Sequence, residues 1–495
     1  MILPEYDELD AIGLAEKIKK NEISPLEALN ASIERIEERD PHLNSVVLKL
    51  YNRARSRIPI LPNGPLHGVP FLLKDLKAAL VGTPTSNSSK LTKNYMPTHN
   101  SLIVDRYEAA GLQIVGKSNT PEFGIMGVTE PAIRPPCRNP WNTEHTPGGS
   151  SGGASASVAS RLVPVAHAGD GGGSIRIPAS HCGLFGIKPT RGRVSMAPHR
   201  GEAWAGFVQE NVVSRSVRDS AALLDVVDPI TPGDPYAAPH KERPWLEEVR
   251  REPGKLRIAF DTGTLFGEDN HPECIKAVEH TLKMLQKLGH EVVEARPIFP
   301  KEELIRAYFL TVATGTAVFV EETSEIVGVK PKAKNFEPAT WLLAQIGWNC
   351  DAPTYLRAKS TVQKASRGVA SFFEEHDVFL TSTAAVPPQR VGEQNPTIAE
   401  KIQMNLVQRA NLSVLLDFAL NAMGSSRLAQ TPNTQLFNQT GQPAMSVPLY
   451  WTDLGLPIGV QFAGKFGGEA TLFRLASQLE QEQPWAHRKP PLLDR

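Results

Sequence analysis

Apolar positions along the chain fall into two periods that alternate in blocks. Leu26, Leu29, Ile33 and Ile36 recur at helical spacing, and Asp40-Pro41 ends the run. Ser24-Pro25-Leu26-Glu27 ahead of them is a capping box with proline at the first helical position. Its hydroxyl and carboxylate satisfy amides that have no partner inside the first turn. Val46, Val47 and Leu48 then begin a strand. Residues 255–294 predict a β-α-β unit. A strand covers Leu256 to Phe260, and a helical stripe of Ile275, Val278, Leu282, Leu285 and Leu288 is closed by Gly289. Val292-Val293 starts the next strand, and Val378 to Leu380 is a further one. Gly68 to Leu73 is an unbroken apolar run, the pattern of a strand buried on both faces, and Lys74 follows it directly. Strands alternating with helices predict an α/β fold, a sheet covered on both faces.

Length alone suggests roughly three domains at about 150 residues each, but the chain shows no repeat and no long flexible linker. The Pro-rich stretches 228–244 and 386–397 read as surface loops. The expectation is one large domain over 1–495, with a variable lobe at roughly 225–425. Lys+Arg and Asp+Glu both count 53, so no global field favours nucleic acid or an anionic membrane. Cys137, Cys182, Cys274 and Cys350 show no CxxC spacing and suit a reducing compartment. The first residues, MILPEYDELDAIGLAEK, lack the basic and apolar regions of a signal peptide. No run of about 18 apolar residues is seen, so no spanning helix is expected. The expected location is the cytoplasm.

The least ordinary stretch is 146–192. It holds Gly148-Gly149-Ser150-Ser151-Gly152-Gly153 and then Gly171-Gly172-Gly173-Ser174-Ile175-Arg176. Out of context the first cluster reads as a flexible linker. Its neighbours argue otherwise, because a helix-like stretch (Ala154 to Leu162) and a short strand (Val163 to Ala168) separate the two clusters. Glycines between tightly spaced core elements allow positive φ and close backbone approach. Neither cluster has the lysine of a phosphate-binding loop, and Gly169-x-Gly171 followed by Ser174 lacks the third glycine of a dinucleotide fingerprint. An oxyanion hole remains: consecutive N–H groups around a serine hydroxyl, each worth about 3 kcal/mol of barrier. A serine nucleophile needs a base. His67, His167 and His181 lie near these segments, and Lys74 is the alternative, because burial disfavours its charged form. On these residues alone the choice stays open, as does a solvated strand-end role for Lys74.

Taken together, GVPFLLKD (68–75), GKSNTPEFG (116–124), RNPWN (138–142), TPGGSSGG (146–153), DGGGSIRIPAS (170–180) and CGLFGIKPTRGRVS (182–195) resemble the amidase signature family. FNQTGQPAMSVPL (437–449) and GLPIGVQFAG (455–464) are similar to its C-terminal segments. The motifs stand in the family's order, and the 24 residues from Ser150 to Ser174 are its spacing. The resemblance is loosest from about 230 to 425. It implies an α/β/α sandwich with a large twisted mixed β-sheet flanked by helices. It implies Ser174 as nucleophile, Ser150 as a bridging serine that follows a cis peptide bond, and Lys74 as base. Gly171, Gly172 and Gly173, with the Ser174 amide, match the oxyanion hole. Ser151 supports the triad, and Asp170 and Arg176 fix the loop's shape. The family usually has DTGGS, whereas residue 171 is glycine here. That change keeps the backbone donor and either loosens the loop or alters its approach to substrate.

The implied reaction is amide hydrolysis through an acyl-enzyme, with no cofactor and no metal; no His/Cys cluster of metal spacing is present. Pocket walls are expected near Met126-Gly127 and in the variable middle. Trp204, Phe207, Phe309, Phe319, Trp341 and Trp348 are candidates, each equally a candidate core residue. GQPAMSVPLYW and EATLFRLASQLEQEQPWAHR (469–488) look most like the branch that hydrolyses 6-aminohexanoate cyclic dimer. The expected partner is therefore a small-molecule amide, linear or cyclic, with no nucleic acid and no membrane, and a homodimer is the family's default. Alternatives are the amidase subunit of a tRNA-dependent amidotransferase and a fatty-acid or aryl amide hydrolase.

Overall fold

The strands expected from the apolar runs assemble into one mixed sheet. The computed structural model describes residues 3–228, 231–267, 269–394 and 430–494. Eleven strands are β1 (Val46–Lys49), β2 (Pro70–Lys74), β3 (Gln113–Ser118), β4 (Val165–Asp170), β5 (Phe185–Lys188), β6 (Gln209–Ser214), β7 (Arg257–Phe260), β8 (Glu291–Glu294), β9 (Val378–Ser382), β10 (Ala444–Trp451) and β11 (Pro457–Gly464). Their order is β1-β3-β2-β4-β6-β5-β10-β11-β9-β7-β8. β2 runs parallel to β3 and β4, and β7 runs parallel to β8 and β9. The other neighbours are antiparallel.

β2 is apolar throughout because both of its faces are covered. Phe71 and Leu73 pack in the cluster that holds Leu14 and Ile18 of helix Ala11–Lys19. Leu72 points the other way, into the cluster of Leu29, Ile36 and Val158. The capping box forms as read: the Glu27 amide donates to Ser24 Oγ at 3.2 Å, and the Ser24 amide to Glu27 Oε2 at 2.7 Å. It starts helix Pro25–Arg39. Gly289, at φ 87°, ends helix Pro272–Lys287.

The segment expected to form a lobe also builds sheet, since β7, β8 and β9 continue the same eleven strands. Helices Lys301–Ile326, Pro338–Trp348 and Ala352–Glu375 pack over an apolar cluster that includes Leu310, Leu343 and Phe373. Residues 395–425 of the expected lobe, and 395–397 of the second Pro-rich stretch, lie outside the described residues. Helix Lys301–Ile326 is, by length and composition, long and apolar enough to cross a membrane. Polar residues punctuate it, so it contains no unbroken apolar run of about 18 residues. Of its most apolar window, 61% is buried against the rest of the protein.

Candidate active site

Lys74 is the last residue of β2, so its side chain leaves the sheet where the parallel strands end and loops gather. It is only 2% exposed. Burial pushes its ammonium down; Glu210 and Asp170 pull it back up, Lys77 lowers it further, and the balance lies at about 7. Lys74 Nζ stands 2.8 Å from Ser150 Oγ, 2.9 Å from Ser151 Oγ and 3.4 Å from the Gly169 carbonyl oxygen.

Ser150 and Ser151 sit just before helix Gly152–Ala159, and the Gly149–Ser150 peptide is cis. The glycines around them are required by contact. A Cβ at Gly149 would lie 2.8 Å from the backbone of Val128, and one at Gly153 would lie 2.3 Å from the Asn119 amide nitrogen. The second cluster folds onto the first, with the Ser151 amide donating to the Ser174 carbonyl at 3.3 Å. The two clusters, whose serines Ser150 and Ser174 stand 24 residues apart in the chain, thus pack together, and Lys74 touches Ser150 and Ser151 of the first.

Asp170 and Arg176 fix the second loop. Arg176 Nε and Nη2 each donate to the Asp170 carboxylate at 2.9 Å, and both side chains are fully buried. Asp170 also accepts from the amides of Gly173 at 2.7 Å and Ile175 at 3.2 Å. Arg176 continues to Gln461 Oε1 and Asn438 Oδ1, both at 2.6 Å. The resemblance implies Gly173 as an oxyanion donor, but its N–H is already given to Asp170. The amides of Gly171, Gly172 and Ser174 have no acceptor among the described residues.

Ser174 and Gly172 open onto a cavity of about 750 Å³ measured out to its mouth. Met126, Gly127, Trp204 and Phe309 line it, as the sequence suggested. Phe207 is buried and stacks on Tyr308, Phe319 and Trp341 pack in a separate cluster with Phe123 and Phe336, and Trp348 is exposed. Tyr308 and Gln435 line the cavity without any signal in the sequence. The glycine at 171 has a direct cause. A Cβ there would stand 2.7 Å from the Trp204 ring, which occupies the space a threonine would take. A Cβ at Gly315 would also meet this ring, 2.5 Å from Trp204 Cδ1. The loop is thus filled rather than loosened.

The histidines stand elsewhere. His67 Nδ1 bonds the Pro62 carbonyl. Burial pushes His181 down to about 4 and, with Lys74 adding to it, His167 to about 3. His167 Nδ1 accepts the Lys74 backbone N–H at 3.3 Å, so this ring backs the lysine as a neutral group.

The family model described as Amidase covers residues 27–473, and the chain belongs to the amidase family. Within it, the chain is related to 6-aminohexanoate cyclic dimer hydrolase. It is 36% identical over 492 residues to the 6-aminohexanoate-cyclic-dimer hydrolase of Pseudomonas sp. (strain NK87), covering 98% of this chain and 97% of that one. A solved 6-aminohexanoate cyclic dimer hydrolase complexed with substrate superposes with a TM-score of 0.90 at 33% identity, covering 99% and 100% of the two chains. A bacterial aryl acylamidase of the amidase signature enzymes superposes with a TM-score of 0.87 at 25% identity, covering 98% and 99%.

Proposed function

We propose that this amidase cuts a small uncharged amide through an acyl-enzyme, with Ser174 as nucleophile, Ser150 as relay and Lys74 as base. The observation that carries the reading is the buried Lys74 amine 2.8 Å from Ser150 Oγ. A neutral amine has two N–H donors and one lone pair. Ser151 Oγ and the Gly169 carbonyl occupy the donors, which leaves the lone pair for the Ser150 hydroxyl proton. Ser150 draws the proton of Ser174, whose oxygen attacks the amide carbonyl. The developing oxyanion faces the amides of Gly171, Gly172 and Ser174. The proton returns through Ser150 to the leaving amine, and water activated by the same relay hydrolyses the ester. The relay supplies every proton transfer, so the reading requires no metal and no cofactor. The working form we propose is a cytoplasmic homodimer; the four cysteines are free thiols, which suits a reducing compartment.

The base fixes the pH dependence. Lys74 must be neutral to accept a proton, and its ordinary value is lowered to about 7. Below that pH the ammonium accumulates and kcat/KM falls about tenfold per unit; above it the rate reaches a plateau. A profile from pH 5 to 9 checks this, and full activity at pH 5 would contradict the neutral-lysine base.

No described residue lining the cavity is charged. A free ammonium or carboxylate would be desolvated there without a partner. The test is amine release from 6-aminohexanoate cyclic dimer, its linear dimer, an anilide, glutamine and a long-chain amide. The cyclic dimer should be cleaved at least about tenfold faster than the zwitterionic linear dimer. A preference for the linear dimer would refute the uncharged-substrate reading. Silence on the whole panel, relieved by partner subunits, would favour an amidotransferase subunit.

A further inference from the structure

Glu210 is a largely buried acid that neither the triad nor the Asp170–Arg176 clamp uses. It lies on β6, directly opposite Gly169 of β4. Residue 169 has no side chain, so Glu210 lies across β4: a Cβ at 169 would stand 3.7 Å from Glu210 Cγ. The same Gly169 offers its carbonyl to Lys74 Nζ. Glu210 Oε2 is 3.9 Å from His167 Nε2. Because His167 accepts the Lys74 amide on Nδ1, the neutral ring carries its proton on Nε2, toward the carboxylate. The Glu210 side chain is 14% exposed, and no described residue donates a hydrogen bond to it. Asp170, the other acid near Lys74, is committed to Arg176.

The charged and titratable groups around Glu210 are few. The charges of Lys74 and Lys77 act on it from β2 and the turn that follows, and His167 and Asp170 belong to β4. Tyr107 comes from helix Leu102–Ala109. Lys77 Nζ rests on the Phe319 ring at 4.4 Å. Beyond it, the Arg200 charge acts on Lys77. Burial lifts the Glu210 carboxyl to about 7, while Lys77 and Lys74 draw it back down.

We propose that Glu210 is a positioning residue whose carboxylate is the counter-charge to Lys74 whenever that lysine holds the proton taken from Ser174 through Ser150. The inference rests on the amidase reading above. One proton moves to Lys74 Nζ in each stage, and no bond to Glu210 forms. Above about pH 7, where Glu210 is ionised, the lysine–glutamate pair passes from net −1 to neutral, and the ammonium that forms twice per turnover is stabilised both times.

The experiment compares kcat/KM against pH for wild type and Glu210→Gln on whichever amide the wild type cleaves. Removing the negative charge makes the ammonium less stable, so neutral lysine persists to lower pH. The acid limb should move about one pH unit lower. The plateau should fall by up to about tenfold, because the base is about one unit weaker. Glu210→Asp, with its charge on a shorter arm, should move the limb the same way by a smaller step. It gives the answer if Glu210→Gln does not fold. A folded variant with a lower plateau and an unmoved limb would make Glu210 merely structural and overturn the proposal. A wild type with no acid limb, or a Ser174→Ala protein that keeps turnover, would instead overturn the proposed Ser174–Ser150–Lys74 relay.

Discussion

Ser174→Ala is expected to lower kcat/KM for amide hydrolysis by about 10,000-fold or more, with the melting temperature within a few degrees of wild type. Ser174 stands at the cavity wall, only partly buried, and its hydroxyl appears in no hydrogen bond of the clamp. Truncating it removes the attacking oxygen and leaves the cavity and the loop amides in place. What survives is the part of catalysis those amides and binding supply. Ser150→Ala and Lys74→Met should each fall by a comparable factor, and the double variants should add little, because in the proposed relay the three groups act as one. Amine release under single-turnover conditions reads all of them. A Ser174→Ala protein with turnover near wild type would dismiss the nucleophile assignment.

The largest loss of stability is expected from Asp170→Asn. Arg176 has no exposed surface, and its two strongest contacts are with this carboxylate. An amide in its place leaves a buried guanidinium without a counter-charge, a change that costs about 3–5 kcal/mol. Burial alone pushes Asp170 up, but the Arg176 charge, its hydrogen bonds and Asn438 outweigh it and hold the carboxyl well below the usual range. A depressed carboxyl contributes stability that is present above its unfolded value, near 4, and fades as pH falls through the folded value. The gap between wild type and variant should therefore be full at pH 7, begin to narrow as pH falls below about 4, and be lost in strong acid. Urea unfolding at pH 7 and pH 3 measures both. A difference under about 1 kcal/mol at pH 7 would mean that Arg176 is neutralised by another route.

Much of the site could be read from the chain because its chemistry is carried by short contiguous segments. Lys74 ends an apolar run, and Ser150 and Ser174 sit among glycines that only close backbone contact explains. The sheet was readable for a related reason: β2 is buried on both faces, so its pattern needs no partner to be recognised. Glu210 was not readable. An acid in a strand of mixed character signals nothing until the strand order places it across Gly169. Tyr308 and Gln435 reach the cavity from segments more than 130 residues beyond Ser174, where the resemblance is weak or has not resumed. Asn438 and Gln461 lay inside recognised segments, yet only the folded chain shows both meeting Arg176. That the Gly173 N–H is given to Asp170 was not readable either, since a sequence gives an N–H its position but not its acceptor.

Gly171 and Trp204 occupy one shared volume, and that bears on the order in which the two positions can change. A side chain at 171 has room only where the Trp204 ring shifts or residue 204 is smaller. In the opposite order, the ring must be displaced for the loop carrying Ser174 to keep its place. A threonine at 171 is thus most easily reached by a path that first widens the cavity. Along that path, the range of acyl groups admitted would change before the loop itself does.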